Sequence, residues 1–329
     1  MKLANLEFVR FCAALTVVIY HSVGILQTNG HSIGWLADAY FIGQAGVDLF
    51  FIVSGFVIWL SLSNSVKDPF TFMKNRIIRI IPSYWLITII TAFIWVISEL
   101  IQKSLDIRPI DFNSMIQSLF LVRGLIGESN PVVIIGWTLE IEMLFYAVVA
   151  ISLMFRSLIF VFVASAISLT SIAVLVENQG RLIEFLIGMS IAVFYLKWRV
   201  GRFLSVTILG LGIAGILSTS VISFGGVPIW NIWAICSSAI VFGAVNLPQV
   251  QFNNAHALGS ASYSVYLIQW LTIPFAALVL EFFPEGKITM IVFLIACVCI
   301  TQMAGSLYHF RFEKPLINWL RKKYVSPHS

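Results

Sequence analysis

In this chain of 329 residues, 59% are apolar and 11% charged, and the mean hydropathy is +0.95. A soluble domain carries about 25% charged residues, so the composition excludes one and points to a polytopic membrane protein. The net charge of +5 is dispersed along the chain as a topological signal and gives little reason to expect nucleic acid as a partner.

A helix needs about 20 residues to cross the hydrocarbon core. Ten apolar stretches of that order follow one another with no long polar insert: Leu6 to Leu26, Phe41 to Leu62, Ile80 to Ile101, Val133 to Phe155, Leu158 to Val176, Leu182 to Trp198, Phe203 to Ser223, Ile229 to Leu247, Leu258 to Phe282 and Ile288 to Phe310. The sixth and seventh are the least pronounced, being short or rich in Gly and Ser. The expected fold is a single all-α bundle of about ten transmembrane helices, one integral domain over residues 1–329. Alternating sides from a cytoplasmic N-terminus, fourteen Lys and Arg, among them Lys2, Lys67, Lys74, Arg199 and Lys322, share one side. The other side holds five: Lys103, Arg108, Arg123, Arg181 and Lys287. This positive-inside bias predicts cytoplasmic termini. No small-residue cleavage site stands out after the first stretch, which reads as an uncleaved span.

The first stretch carries Arg10 and His21. Eleven positions are about three helical turns, so both side chains share nearly one face, about 16 Å apart along the axis. Ionisable groups at membrane depth are costly and mark function by default. The second stretch carries Asp48 in the run Gly46-Val47-Asp48-Leu49-Phe50-Phe51-Ile52-Val53-Ser54-Gly55-Phe56, where the Ser-Gly step allows close helix approach. On the inner side, Ser63 to Arg79 is basic, and Arg76 and Arg79 stand one turn apart, spaced to grip phosphate bidentately or to anchor the third span to lipid headgroups. Arg10, near the same face, adds a third guanidinium for a polyanionic, nucleotide-like ligand.

The longest outer stretch, Gln102 to Pro131, contains a segment, Phe112 to Leu125, patterned as a short interfacial or re-entrant helix. In the fourth span, Gly136-Trp137-Thr138-Leu139-Glu140-Ile141-Glu142-Met143-Leu144-Phe145-Tyr146, the two carboxylates lie two residues apart and face different sides of a helix, so at most one points toward His21. The inner stretch Pro248 to Ala257 is polar but uncharged. Cys12, Cys236, Cys297 and Cys299 all fall inside apolar stretches, where cysteine behaves as a small apolar residue, and suggest neither disulfide nor metal.

A histidine paired with a carboxylate can act as a general base, because imidazole titrates near neutral pH and the acid fixes its tautomer. His21 with Asp48 or Glu142 fits that role. The alternatives are a proton-coupled transporter or flippase, in which the same groups relay protons, and a structural subunit in which they neutralise one another between helices.

Taken in order, Arg10-x10-His21, the Gly46 to Phe56 run, Arg76-x2-Arg79-x2-Pro82, Trp137-Thr138-Leu139-Glu140-Ile141-Glu142-x2-Phe145-Tyr146, Ser262-Tyr263-Ser264-Val265-Tyr266-Leu267-Ile268 and Glu313-Lys314-Pro315 resemble membrane-bound acyltransferase family 3, the bacterial polysaccharide O-acyltransferases. Among these the chain is most similar to the stand-alone exopolysaccharide-modifying members. The resemblance implies a multi-pass protein of the bacterial inner membrane. Its activity would move an acyl group, usually acetyl, from cytoplasmic acyl-CoA to a hydroxyl of a polysaccharide or its lipid-linked precursor, with no metal. The partners it implies are acetyl-CoA, a carbohydrate acceptor and membrane lipids. By motif, His21, Asp48 and Glu142 fall at catalytic positions, Arg10, Arg76 and Arg79 at donor-binding positions, and Trp137, Ser54, Tyr146, Tyr263 and Tyr266 at substrate-binding positions. The motif favours Glu142 over Glu140. Two features depart from the family. Gln269 stands where many relatives have histidine, and a fused C-terminal extracytoplasmic esterase-like domain, which some relatives carry, is not expected here. Direct transfer and an acyl-histidine intermediate are equally compatible with these residues.

Overall fold

The computed structural model describes residues 3–31, 34, 39–65, 68–100, 111–127, 130–222, 225–250, 253–280, 282–283 and 286–325, with only the backbone of 98–100 and 253–256. Lys2, Lys67, Lys103 and Arg108 lie outside the described residues. So do residues 102–110, 128 and 129 of the outer stretch, 251 and 252 of the inner one, and Ile101, Ser223 and Glu281 of the expected spans.

In chain order the helices are α1 (Ala4–Thr28), α2 (Ala45–Asn64, entered through a 3-10 turn Tyr40–Gln44), α3 (Pro69–Leu100), α4 (Phe112–Leu119), α5 (Gly136–Ser152), α6 (Leu158–Leu175), α7 (Leu182–Lys197), α8 (Arg202–Ser218), α9 (Ile229–Asn246), α10 (Asn253–Ser260), α11 (Ser262–Leu280), α12 (Lys287–Tyr308) and α13 (Lys314–Tyr324). A π-turn, His309–Glu313, joins the last two into one continuous run. There is no strand among the described residues. In hydrocarbon only a helix satisfies every backbone group within its own segment, and chains this apolar adopt it throughout.

The protein is an all-α integral membrane protein. Among the described residues, eight helices are long and apolar enough to cross a bilayer: Ala4–Thr28, Tyr40–Asn64, Pro69–Ile97, Gly136–Phe155, Leu158–Leu175, Ile229–Asn246, Ser262–Leu280 and Lys287–Tyr324. The sixth and seventh expected spans are helices as well, but of 16 and 17 residues, shorter than the roughly 20 of a straight crossing.

The chain divides into two compact units, Met1–Val66 with Leu169–Leu307, and Lys67–Ser168 with Tyr308–Ser329. In the first, α2 packs on α1, α7 and α9, α1 also meets α10 and α11, and α8 pairs with α9. Between helices in lipid, association rests on close packing at small residues. A Cβ at Gly55 would run into the Phe185 carbonyl of α7, and one at Gly188 into the Ile52 carbonyl of α2. The expected Ser-Gly step is therefore the contact point of α2 and α7. Gly188→Val is expected to force these backbones apart, costing about 1–3 kcal/mol. A lower melting temperature of the purified protein would register it; an unchanged one would mean the helices yield freely.

In the second unit, α3 carries Pro82 in its interior, which leaves the Ile78 carbonyl without its usual helical donor. The α5 and α13 helices pack on α3. Directly after Pro82, the Ser83 hydroxyl donates to Glu313 Oε1 at 3.3 Å and accepts from the Tyr308 hydroxyl at 3.2 Å. The other Glu313 oxygen bonds His309 Nδ1 at 2.5 Å. The buried Glu313 and Ser83 thus fasten α3 to the π-turn. Glu313→Leu strands buried partners and is expected to cost about 1–3 kcal/mol, again read as a drop in melting temperature.

The short α4 lies inside the segment expected to form an interfacial helix. Asp111 caps it, accepting from the Ser114 amide at 2.6 Å, and that backbone bond holds the Asp111 carboxyl below its ordinary value.

Candidate active site

Arg10 and His21 both sit on α1, in the first unit. Arg10 is bridged to Glu7, one turn earlier, at 3.3 Å. The His21 ring stands edge-on to Tyr20 at 4.8 Å between centroids, and Tyr20 in turn stacks on Tyr40 at 5.3 Å and 8°. The imidazole is therefore backed by a pair of parallel aromatic rings contributed by α1 and the 3-10 turn before α2.

Asp48 is completely buried near the start of α2. Its carboxylate is ion-paired with Arg181 at 3.3 Å. Glu184, one turn along from Arg181 on α7, lies close beside it. The register of α1 against α2 is fixed by glycines: Gly43 meets Thr16 and Tyr20, and Gly46 meets Ala13, Thr16 and Val17. Continued by two residues, that register sets Asp48 level with Ala13, some 12 Å of helix rise from His21. Arg181, not the imidazole, is the partner that the fold supplies to Asp48.

Ser54 is half-buried on α2 beside the Gly55 contact point, and Tyr263 is half-buried on the first turn of α11. Tyr266 is buried edge-on to Phe50 at 5.9 Å. The Gln269 side-chain amide is buried and donates back to the Tyr266 carbonyl at 2.9 Å.

The second unit gathers four of the singled-out residues. The Tyr146 hydroxyl, 3% exposed as a residue, donates to Glu142 Oε1 at 2.6 Å across one turn of α5. The Arg76 guanidinium lies over the Tyr146 ring at 5.5 Å and over the Phe72 ring at 5.4 Å. Arg76 feels the charges of both Arg79 and Glu142. A cation held against two aromatic faces keeps its orientation, and the Arg76 Nε donor is buried without an acceptor among the described residues. Glu140 faces elsewhere, accepting from the Gly124 amide at 2.8 Å and so tying α5 to the loop after α4. The two carboxylates divide as their spacing requires, and Glu142 is the one beside the arginines. Trp137 occupies the second position of α5.

Sequence reading passed over Arg181 and Glu184 as partners of Asp48, and Tyr20 and Tyr40 as the backing of His21. Arg181-x2-Glu184 at the head of the sixth stretch, two opposite charges one turn apart facing an apolar helix, was the available signal. Among the described residues, no group of three or more His, Cys, Asp or Glu is gathered as metal ligands.

Comparison with known proteins places these residues in context. A family model described as an acyltransferase domain matches residues 3–308. The exopolysaccharide production protein ExoZ of Rhizobium meliloti (strain 1021) is 29% identical over 250 residues, covering 69% of this chain and 75% of the relative. No solved structure matches the chain.

Proposed function

The chain belongs to the acyltransferase-domain family, and from that membership we propose that it moves an acetyl group from acetyl-CoA to a hydroxyl of an exported polysaccharide or its lipid-linked precursor, in the bacterial inner membrane. The observation that carries the reading is the Arg76–Tyr146–Glu142 cluster, with Arg79 within charge range. A guanidinium oriented by aromatic faces, with the Glu142 carboxylate acting on it, suits the phosphates of a CoA donor. The name of the exopolysaccharide relative supports a polysaccharide acceptor.

In this reading Arg76, Arg79 and Arg10 bind the donor's phosphates, Tyr146 and Glu142 position Arg76, and His21 is the general base. His21 takes the proton of the sugar hydroxyl, the freed oxygen attacks the thioester carbonyl, and the carbon–sulfur bond breaks. The leaving thiolate then takes up that proton, so His21 ends as it began. Asp48, held by Arg181, is a positioning residue that fixes α2 and α7 in the unit that carries His21. Tyr20 and Tyr40, with Trp137, Ser54, Tyr263 and Tyr266, supply aromatic and hydroxyl surface for the acceptor sugar.

The experiment is transfer of labelled acetyl from acetyl-CoA to purified polysaccharide by membranes containing the protein. Alkali-labile label on the glycan is the expected result. Membranes that bind both substrates without transferring label would refute the reading.

A further inference from the structure

We propose that Arg321 is a third member of the phosphate-binding set, joining Arg76 and Arg79 on the donor's phosphates; this rests on the donor reading above. All three residues belong to the second unit, where α13, which carries Arg321, packs directly on α3, which carries the other two. The charges that act on Arg321 are those of Arg79 first and Arg76 second. The Nε donors of Arg76 and Arg321 are both buried without a hydrogen-bond acceptor among the described residues.

The three guanidiniums act on one another electrostatically, and the Glu142 carboxylate acts on Arg76. Like charges withdrawn from water repel, and buried N–H donors without acceptors cost free energy, so such a cluster is poised for an anion. Guanidinium forks pair with phosphate oxygens bidentately.

The rest of α13 suits a different task. Lys322 and Lys323 are exposed, and Lys323 lies over the Trp319 ring at 5.0 Å, the pattern of a helix resting at a membrane interface. Arg321 alone among the three consecutive basic residues is partly buried on the α3 side. Phosphate chemistry is shared by the CoA donor and by anionic lipid headgroups, and the test separates them.

The full chain, in nanodiscs of phosphatidylcholine, is titrated with CoA and with pyrophosphate, comparing the parent with Arg321→Gln, Arg321→Lys and Lys323→Gln. Arg321→Gln is expected to weaken both probes about 10- to 100-fold, the scale of one charge-assisted bond. Arg321→Lys should fall between, and Lys323→Gln should match the parent. Parental CoA and pyrophosphate affinity in both Arg321 variants overturns the proposal, and Arg321→Lys keeps that comparison open if the glutamine variant misfolds. Repeating the titration with phosphatidylglycerol present identifies the lipid source. If Arg321→Gln changes lipid-dependent melting while CoA affinity stays parental, the residue is a headgroup ligand and the donor assignment is overturned. If the parent binds pyrophosphate through Arg321 but not CoA, the anion site stands and the acyl-CoA reading fails.

Discussion

His21→Ala is expected to reduce acetyl transfer about 10²- to 10⁴-fold, the range a positioned general base contributes, while the protein still inserts and folds. The fold survives because α1 is held by other residues: Val17, Val18, Ser22 and Val23 are buried around His21, and the Gly43 and Gly46 contacts that set the α1–α2 register do not involve the imidazole. Alanine also keeps the helix, being its best former. Membranes containing equal amounts of parent and variant should therefore differ in turnover and match in CoA affinity. A folded His21→Ala protein that acetylates at the parental rate removes His21 from the chemistry. Tyr20→Phe, which keeps the ring edge against His21, should retain most of the activity.

Arg76→Ala is expected to raise the KM for acetyl-CoA about 10- to 100-fold with a much smaller change in kcat. Losing a charge-assisted contact to phosphate costs about 1.5–3 kcal/mol, and losing uniform binding appears in KM rather than in kcat. Lysine should rescue poorly, because an ammonium lacks the planar, forked group that lies over the Phe72 and Tyr146 rings. Tyr146→Phe keeps the ring under Arg76 but removes the hydroxyl bond to Glu142, so it should give a smaller version of the same KM increase. Equal KM values in the Arg76 variants and the parent would reduce this arginine to a membrane anchor.

Much of the fold was legible because hydrophobic length is a direct physical requirement. Among the described residues, each expected apolar stretch falls largely on a helix. The two shortest of these helical runs, Leu182–Lys197 and Arg202–Ser218, are the two whose sequence was short or rich in Gly and Ser. The split of Glu140 from Glu142 was legible too, since helical period alone sends residues two apart to different faces. What periodicity does not carry is which helices meet. Asp48 was readable as a buried acid, but its pairing with Arg181 and Glu184 needs the α2–α7 contact made by Gly55 and Gly188. The π-turn at His309–Glu313 was equally hidden, because its bond to Ser83 depends on α13 and the turn lying against α3.

The most direct test of the central claim is the O-acetyl content of the exported polysaccharide, measured by mass spectrometry in cells with the protein, without it, and with only the His21→Ala form. Acetyl groups that are present with the parent and lost in both other strains, on a glycan still exported in the same amount, are the predicted result. A glycan equally acetylated in all three, or one that fails to leave the cell when the protein is removed, contradicts an acyltransferase and describes a transporter instead.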